Sequence, residues 1–211
     1  MRGFGWKRAL ATSLLWIVAL FAASSQAQTW GSEDAPVTLM IYSGFACPYC
    51  AQAKGQIEAL KKKYPNDLRI VFKHFPLSDS DEARRPHLIA AAAAEQGKFW
   101  EAHDSFFERP NINAVGAEMS LLLASRGINM QAANAFVKSG SAAKRLSQDA
   151  AEASALKVRA TPTFFIDGVR LEGLQELATL ERLIEFRVKK PPTALLLSPS
   201  LSAPASGATK P

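Results

Sequence analysis

Apolar positions fall into four kinds of pattern along the chain. Residues 9–23 are a mainly apolar run, interrupted at Thr12 and Ser13. The segments 37–43, 68–72, 163–166 and 169–171 are short and rich in β-branched or aromatic residues, which suits strands. Between them, Cys50, Ala53, Ile57 and Leu60 recur at steps of three or four, the mark of one buried helix face. From 78 to 156 the sequence is alanine-rich with helical spacing: Phe99, His103, Phe106 and Phe107 share one face, and Leu88, Ala91, Ala92 and Glu95 another. Gly97, Pro110-Asn111 and Gly127 break this block, leaving room for three to five helices.

Local signals fix the order. Val37–Ser43 reads as a buried strand ending at Gly44. Pro48 suits the first turn of the next helix, because the donor it lacks has no partner there. Lys61, Lys62 and Lys63 suit its C-terminal end, and Tyr64-Pro65-Asn66-Asp67 closes it. The strand at 68–72 completes a strand-helix-strand unit with a right-handed crossover to a parallel neighbour. Asp167-Gly168 between 163–166 and 169–171 predicts a two-residue hairpin. Leu177, Leu180, Leu183 and Ile184 then predict an amphipathic helix over one sheet face. Beyond Lys190 there are five prolines, four serines and no acidic residue, a composition that predicts a disordered tail in which Ala194 to Leu197 is an isolated apolar cluster. No internal repeat is visible.

The apolar run at 9–23 follows Arg2, Lys7 and Arg8 and precedes Ser25-Gln26-Ala27, with small residues where a signal peptidase reads. It is shorter than the roughly 20 residues that span a bilayer, so a removed secretory signal is the reading and an uncleaved anchor the alternative. Roughly 184 residues remain after position 27, enough for one domain with a large insertion. The formal charge of +6 falls to about +3 without the leader's three cations, so the basic balance does not imply nucleic acid.

The chain has two cysteines, Cys47 and Cys50, three positions apart. A small exported domain stapled by disulfides would have several, scattered. A static bridge closing so short a loop would constrain the unfolded chain little. A structural zinc would need further ligands, for which only His74, His87 and His103 are available beyond carboxylates. At the start of a helix, a Cys-x-x-Cys pair can bring its α-carbons into disulfide range. The first sulfur faces unpaired backbone donors and the positive end of the helix dipole, and the second lies a turn deeper. Cys47 is the expected attacking thiolate and Cys50 the resolving thiol. The histidines are read as packed or surface residues without a catalytic role. Phe45 and Tyr49 flank the pair as candidates for an apolar client patch, and at least one of Phe164 and Phe165 should be core.

Five motifs stand in order: Ala35-Pro36-Val37; Phe45-Ala46-Cys47-Pro48-Tyr49-Cys50; Phe75-Pro76-Leu77; Lys98-Phe99-Trp100-Glu101 with His103-Asp104; and Thr161-Pro162-Thr163-Phe164-Phe165. Together they resemble the DsbA-like family of thiol-disulfide oxidoreductases over about 35–186. The resemblance implies an α/β thioredoxin-like fold with a helical insertion: a first half at 28–77 bearing the cysteines, an insertion at 78–156, a second half at 157–188, and a tail at 189–211. It also implies a cis bond at Thr161-Pro162 against the cysteine pair, with Thr161 and Pro162 contacting an extended client, and no cofactor or metal. Expected partners are client proteins with cysteines and a membrane quinone-linked redox partner or small-molecule disulfides. The place of action is the periplasm, and the chain is a monomer. DsbA has histidine where this chain has Tyr49, so a donor to the thiolate is changed. A potential between about −120 and −230 mV follows as an expectation, milder than DsbA. Three alternatives remain on sequence grounds: a reductase or isomerase, a non-catalytic peptide-binding chaperone and, more distantly, metal trafficking.

Overall fold

The computed structural model describes residues 28–109 and 116–190. The leader expected at 1–27, the Pro110-Asn111 break and the tail beyond Lys190 lie outside the described residues. Five strands form one mixed sheet in the order β1-β3-β2-β4-β5: β1 (Thr29–Trp30), β2 (Val37–Ser43), β3 (Leu68–His74), β4 (Thr163–Ile166) and β5 (Val169–Glu172). The expected α/β thioredoxin-like fold is present.

Strand β2 runs parallel to β3 from Val37 opposite Leu68 to Ser43 opposite His74, with helix α1 (Pro48–Lys63) as the crossover. It runs antiparallel to β4, with Tyr42 opposite Thr163. Asp167 and Gly168 both take positive φ, as a tight hairpin turn between β4 and β5 requires. The twofold alternation of β2 supplies both layers. Leu39 and Ile41 face the larger core with Ile57 and Leu60 of α1 and with Leu180 and Ile184 of the last helix, α7 (Leu177–Lys189). Met40 and Tyr42 face the opposite layer with Ala153 and Val158. Each fully buried Leu or Ile contributes about 1.5–3 kcal/mol.

Between β3 and β4 lie α2 (Asp81–Ala94), α3 (Phe99–Glu108), α4 (Ala117–Ser125), α5 (Met130–Lys138) and α6 (Ser141–Ala155). Helix α2 is buried from Ile89 to Ala94 because its methyl-sized side chains let α3, α5 and α6 approach from several sides. Glu95, which continues the spacing of Leu88, Ala91 and Ala92, is the exposed C-cap, where it pairs with Arg145.

Two features differ from expectation. Strand β3 continues past Phe72 to His74, because Ser43 extends the ladder and the His74 N–H bonds the Asp149 carboxylate at 2.8 Å. Strand β1 lies antiparallel on β3 and was not expected. Two residues carry no periodicity, and β1 is held from outside by the Trp100 indole N–H donating to the Thr29 carbonyl at 3.2 Å.

Candidate active site

The site is built where β2 ends and α1 begins. At Gly44 the chain passes so close to the next segment that a Cβ would lie 2.8 Å from the Phe75 carbonyl oxygen. A turn follows, with the Cys47 N–H bonding the Gly44 carbonyl at 3.1 Å. Cys47 is the N-cap of α1 in extended conformation, Pro48 occupies the first turn, and no side chain caps the helix. Pro48 has no N–H and the Cys50 N–H also bonds the Cys47 carbonyl at 3.1 Å, so the Tyr49 N–H is the donor of that turn left to the Cys47 sulfur.

Both thiols are free and buried, Cys47 at 5% and Cys50 at 2% exposure. Burial pushes the Cys47 pKa up, but hydrogen bonds outweigh it, and the thiol ionises below its ordinary value. The largest favourable contribution is the Thr161 hydroxyl, followed by the Cys50 backbone N–H, the Cys50 thiol and the Tyr49 backbone N–H. Thr161 acts in both directions. Its carbonyl accepts from the protonated Cys47 thiol at 3.4 Å, which favours the neutral form. Its hydroxyl is buried without a hydrogen-bond partner, a donor available once the sulfur ionises. Burial pushes the Cys50 thiol up to about 11, against weaker lowering by the Ser43 side chain, the Gly44 backbone and Thr161. The two adjacent sulfurs are thus pushed apart, Cys47 toward easier ionisation and Cys50 toward keeping its proton.

The Thr161-Pro162 bond is cis, and Pro162 is buried at the start of β4. The loop that presents it is fixed at three points. Arg170 donates to the Leu156 and Lys157 carbonyls at 2.8 Å each, the Thr163 hydroxyl donates to the Ala160 carbonyl at 2.7 Å, and the Gly173 N–H donates to the Pro162 carbonyl at 2.8 Å.

Phe45, expected as part of a client patch, is core. It is 5% exposed, stacked on Phe72 and enclosed by Phe106 and Phe107, because the inserted helix α3 brings those last two rings under the turn. Tyr49 stands in solvent at 58% exposure. The apolar surface beside the pair includes Leu77, 51% exposed and packed over Gly44, a residue given no role on sequence grounds. Its only signal was its place in Phe75-Pro76-Leu77. All three histidines are buried, none at the surface. Phe164 is fully buried and Phe165 partly. Among the described residues no group of three or more His, Cys, Asp or Glu is placed to hold a metal ion, and no helix is long and apolar enough to cross a membrane.

A strand-helix-strand unit carrying a dithiol at its helix start, with a cis-proline loop packed against it, defines the thioredoxin class. Residues 24–186 match the family model described as Thioredoxin, and the chain belongs to that family. Its fold is that of the DsbA-like proteins. A thioredoxin-like oxidoreductase of Silicibacter pomeroyi is similar with a TM-score of 0.68 and 19% identity, over 78% of this chain and 97% of that one. BdbD of Bacillus subtilis has a TM-score of 0.66 and 20% identity, over 77% and 92%. An α-DsbA1 variant of Wolbachia pipientis has 0.68 and 19%, over 80% and 96%. Among curated proteins, a Na+/H+ antiporter NhaA 1 of Mycolicibacterium vanbaalenii is 35% identical over 161 residues, 74% of this chain but 25% of the antiporter. An NhaA antiporter of Herminiimonas arsenicoxydans is 36% identical over 166 residues, 74% and 24%. The chain therefore spans about a quarter of the length of these curated relatives.

Proposed function

We propose that the chain is an exported protein thiol-disulfide oxidoreductase that works through Cys47 and Cys50 and oxidises its clients. The observation that carries this reading is the geometry of the pair: two free thiols at the start of α1, with the Cys47 sulfur 3.4 Å from the Thr161 carbonyl beside the cis Pro162. A client thiolate attacks Cys47 of the disulfide, the Cys47-Cys50 bond breaks, and Cys50 leaves and takes a proton. A second client thiolate then attacks the client sulfur of the mixed disulfide and expels Cys47 as a thiolate. The client loses two electrons and gains a disulfide; the pair gains both electrons and becomes a dithiol. A depressed Cys47 pKa favours this direction because it stabilises the dithiol product.

In this reading Pro48 shapes the helix start, Tyr49 and Leu77 offer apolar surface to an unfolded client, and the backbone beside Thr161 and Pro162 pairs with the client chain. A membrane quinone-linked protein or small-molecule disulfides restore the disulfide, and the chain acts as a monomer in the periplasm. The antiporter relatives carry a similar segment within a membrane protein, which supports action near a membrane surface. Ion transport is not part of the reading.

Trapping the thiols by alkylation in cells tests the direction. An oxidase rests as the disulfide; a resting dithiol would reassign the protein as a reductase or isomerase. Cys47→Ser should abolish exchange, and a variant that retained full function would mean peptide binding alone.

A further inference from the structure

The segment that delivers Cys47 is pinned by backbone bonds at its ends: the Phe75 N–H to the Ser43 carbonyl at 3.0 Å and the Cys47 N–H to the Gly44 carbonyl at 3.1 Å. Between them its hold on the molecule is the ring of Phe45. The nearest ring to Phe45 is the His87 imidazole of α2, 4.6 Å between centroids, closer than Phe106 at 5.1 Å, Phe107 at 5.2 Å, Phe72 at 5.6 Å or His103 at 6.1 Å.

His87 differs from the other neighbours in being oriented by a bond to the sheet. Its Nδ1 lies 2.9 Å from His74 Nδ1. His74 is itself held by the Gln28 side-chain amide at Nε2 and by its backbone N–H on Asp149. Both imidazoles are essentially inaccessible to water, and burial holds both pKa values below the ordinary histidine range. Two neutral rings that share one proton between their δ nitrogens must adopt complementary tautomers, one donating and the other accepting. Neither ring can turn without leaving a buried nitrogen unpaired, at a cost of about 1–3 kcal/mol. His103, by contrast, bonds only its own helix neighbour Asp104, at 2.9 Å, and has no such tie to the sheet.

We propose that His87 is a positioning residue for Cys47, acting through Phe45: its fixed ring sets the Phe45 ring, and Phe45 sets the turn that aims the sulfur at the start of α1 and at Thr161. The inference rests on the redox reading of the cysteine pair. It assigns a buried histidine of the inserted helices, remote in sequence, to the geometry of the reacting sulfur.

The test measures the Cys47 pKa by thiolate absorbance, and the equilibrium with glutathione, on the full chain. His87→Ala should raise the Cys47 pKa by about one unit and shift the equilibrium several-fold toward the disulfide form. In His87→Gln the amide can bond His74 and lay its flat face on Phe45, so most of the shift should return. Phe45→Leu should reproduce the shift, and adding His87→Ala to it should add little, because the two act in series. A folded His87→Ala variant that loses thermal stability while its pKa and equilibrium stay unchanged would overturn the proposal. Should that variant fail to fold, an unchanged pKa in Phe45→Leu would do so alone. If the wild type forms no reversible disulfide, the redox reading falls and this inference with it; if the wild type cycles normally and the variants match it, only this inference falls.

Discussion

Two opposing effects act on the sulfur of Cys47, and hydrogen bonding outweighs burial there, whereas at Cys50 burial dominates. The consequence is selective chemistry. At pH 7.5, limiting iodoacetamide should label Cys47 at least about tenfold faster than Cys50, read by peptide mass analysis, and equal labelling would contradict the assignment. Tyr49 supplies the Cys47 sulfur with a backbone N–H. Tyr49→His adds a cationic donor beside the thiolate, so the Cys47 pKa should fall by about one unit and the midpoint potential should rise; a thiolate titration and a glutathione equilibrium check both. The buried histidines give a separate pH dependence. Burial lowers the His87 pKa to about 3 and lowers those of His74 and His103, while unfolded histidine titrates near 6.5. The unfolded state therefore binds more protons below about pH 6.5, and the stability these groups contribute is lost as pH falls from there toward 3. The urea midpoint should decline steadily from pH 6.5 to 4; a flat profile over that range would contradict three neutral buried imidazoles.

At the scale of elements, one lysine of α1 joins β1 and α3, which also meet directly through the Trp100–Thr29 bond. Lys61 of α1 is nearly buried, with its ammonium 3.6 Å from the Trp100 ring centroid, 5.9 Å from that of Trp30, and paired with Glu58 at 2.8 Å. Its cation-π contacts join three elements, so Lys61→Met should cost about 1–2 kcal/mol in urea denaturation, and a cost near zero would show the contacts to be incidental. Elements defined by periodicity were legible in the sequence. Strand β2, helix α1 through Cys50, Ala53, Ile57 and Leu60, the Asp167-Gly168 hairpin and helix α7 all follow from spacing, because each buries a face of its own. Strand β1 did not, since two residues supported by Trp100 leave no pattern. The cysteine pair was legible because its chemistry is local. Phe45, Leu77 and the His74-His87 bond were not, because which side of a turn a ring occupies, or which two imidazoles meet, depends on elements brought together only by the fold.

For the whole molecule, the sheet order puts the two halves of the site on neighbouring strands. The cysteine helix starts where β2 ends, the cis-proline loop enters β4, and β2 and β4 pair directly, with Tyr42 opposite Thr163. The inserted helices close the underside of the cysteine loop with Phe106, Phe107 and His87 around Phe45, which ties the insertion to the reactive sulfur as well as to the core. The proposed reaction thus depends on a sulfur stabilised as a thiolate by the frame around it, and the redox potential of the pair reports that stabilisation directly. Equilibration of the purified protein with defined glutathione mixtures should give a single two-electron transition at a midpoint between about −120 and −230 mV. A midpoint below about −270 mV, or no reversible bridge between Cys47 and Cys50 at all, would contradict it.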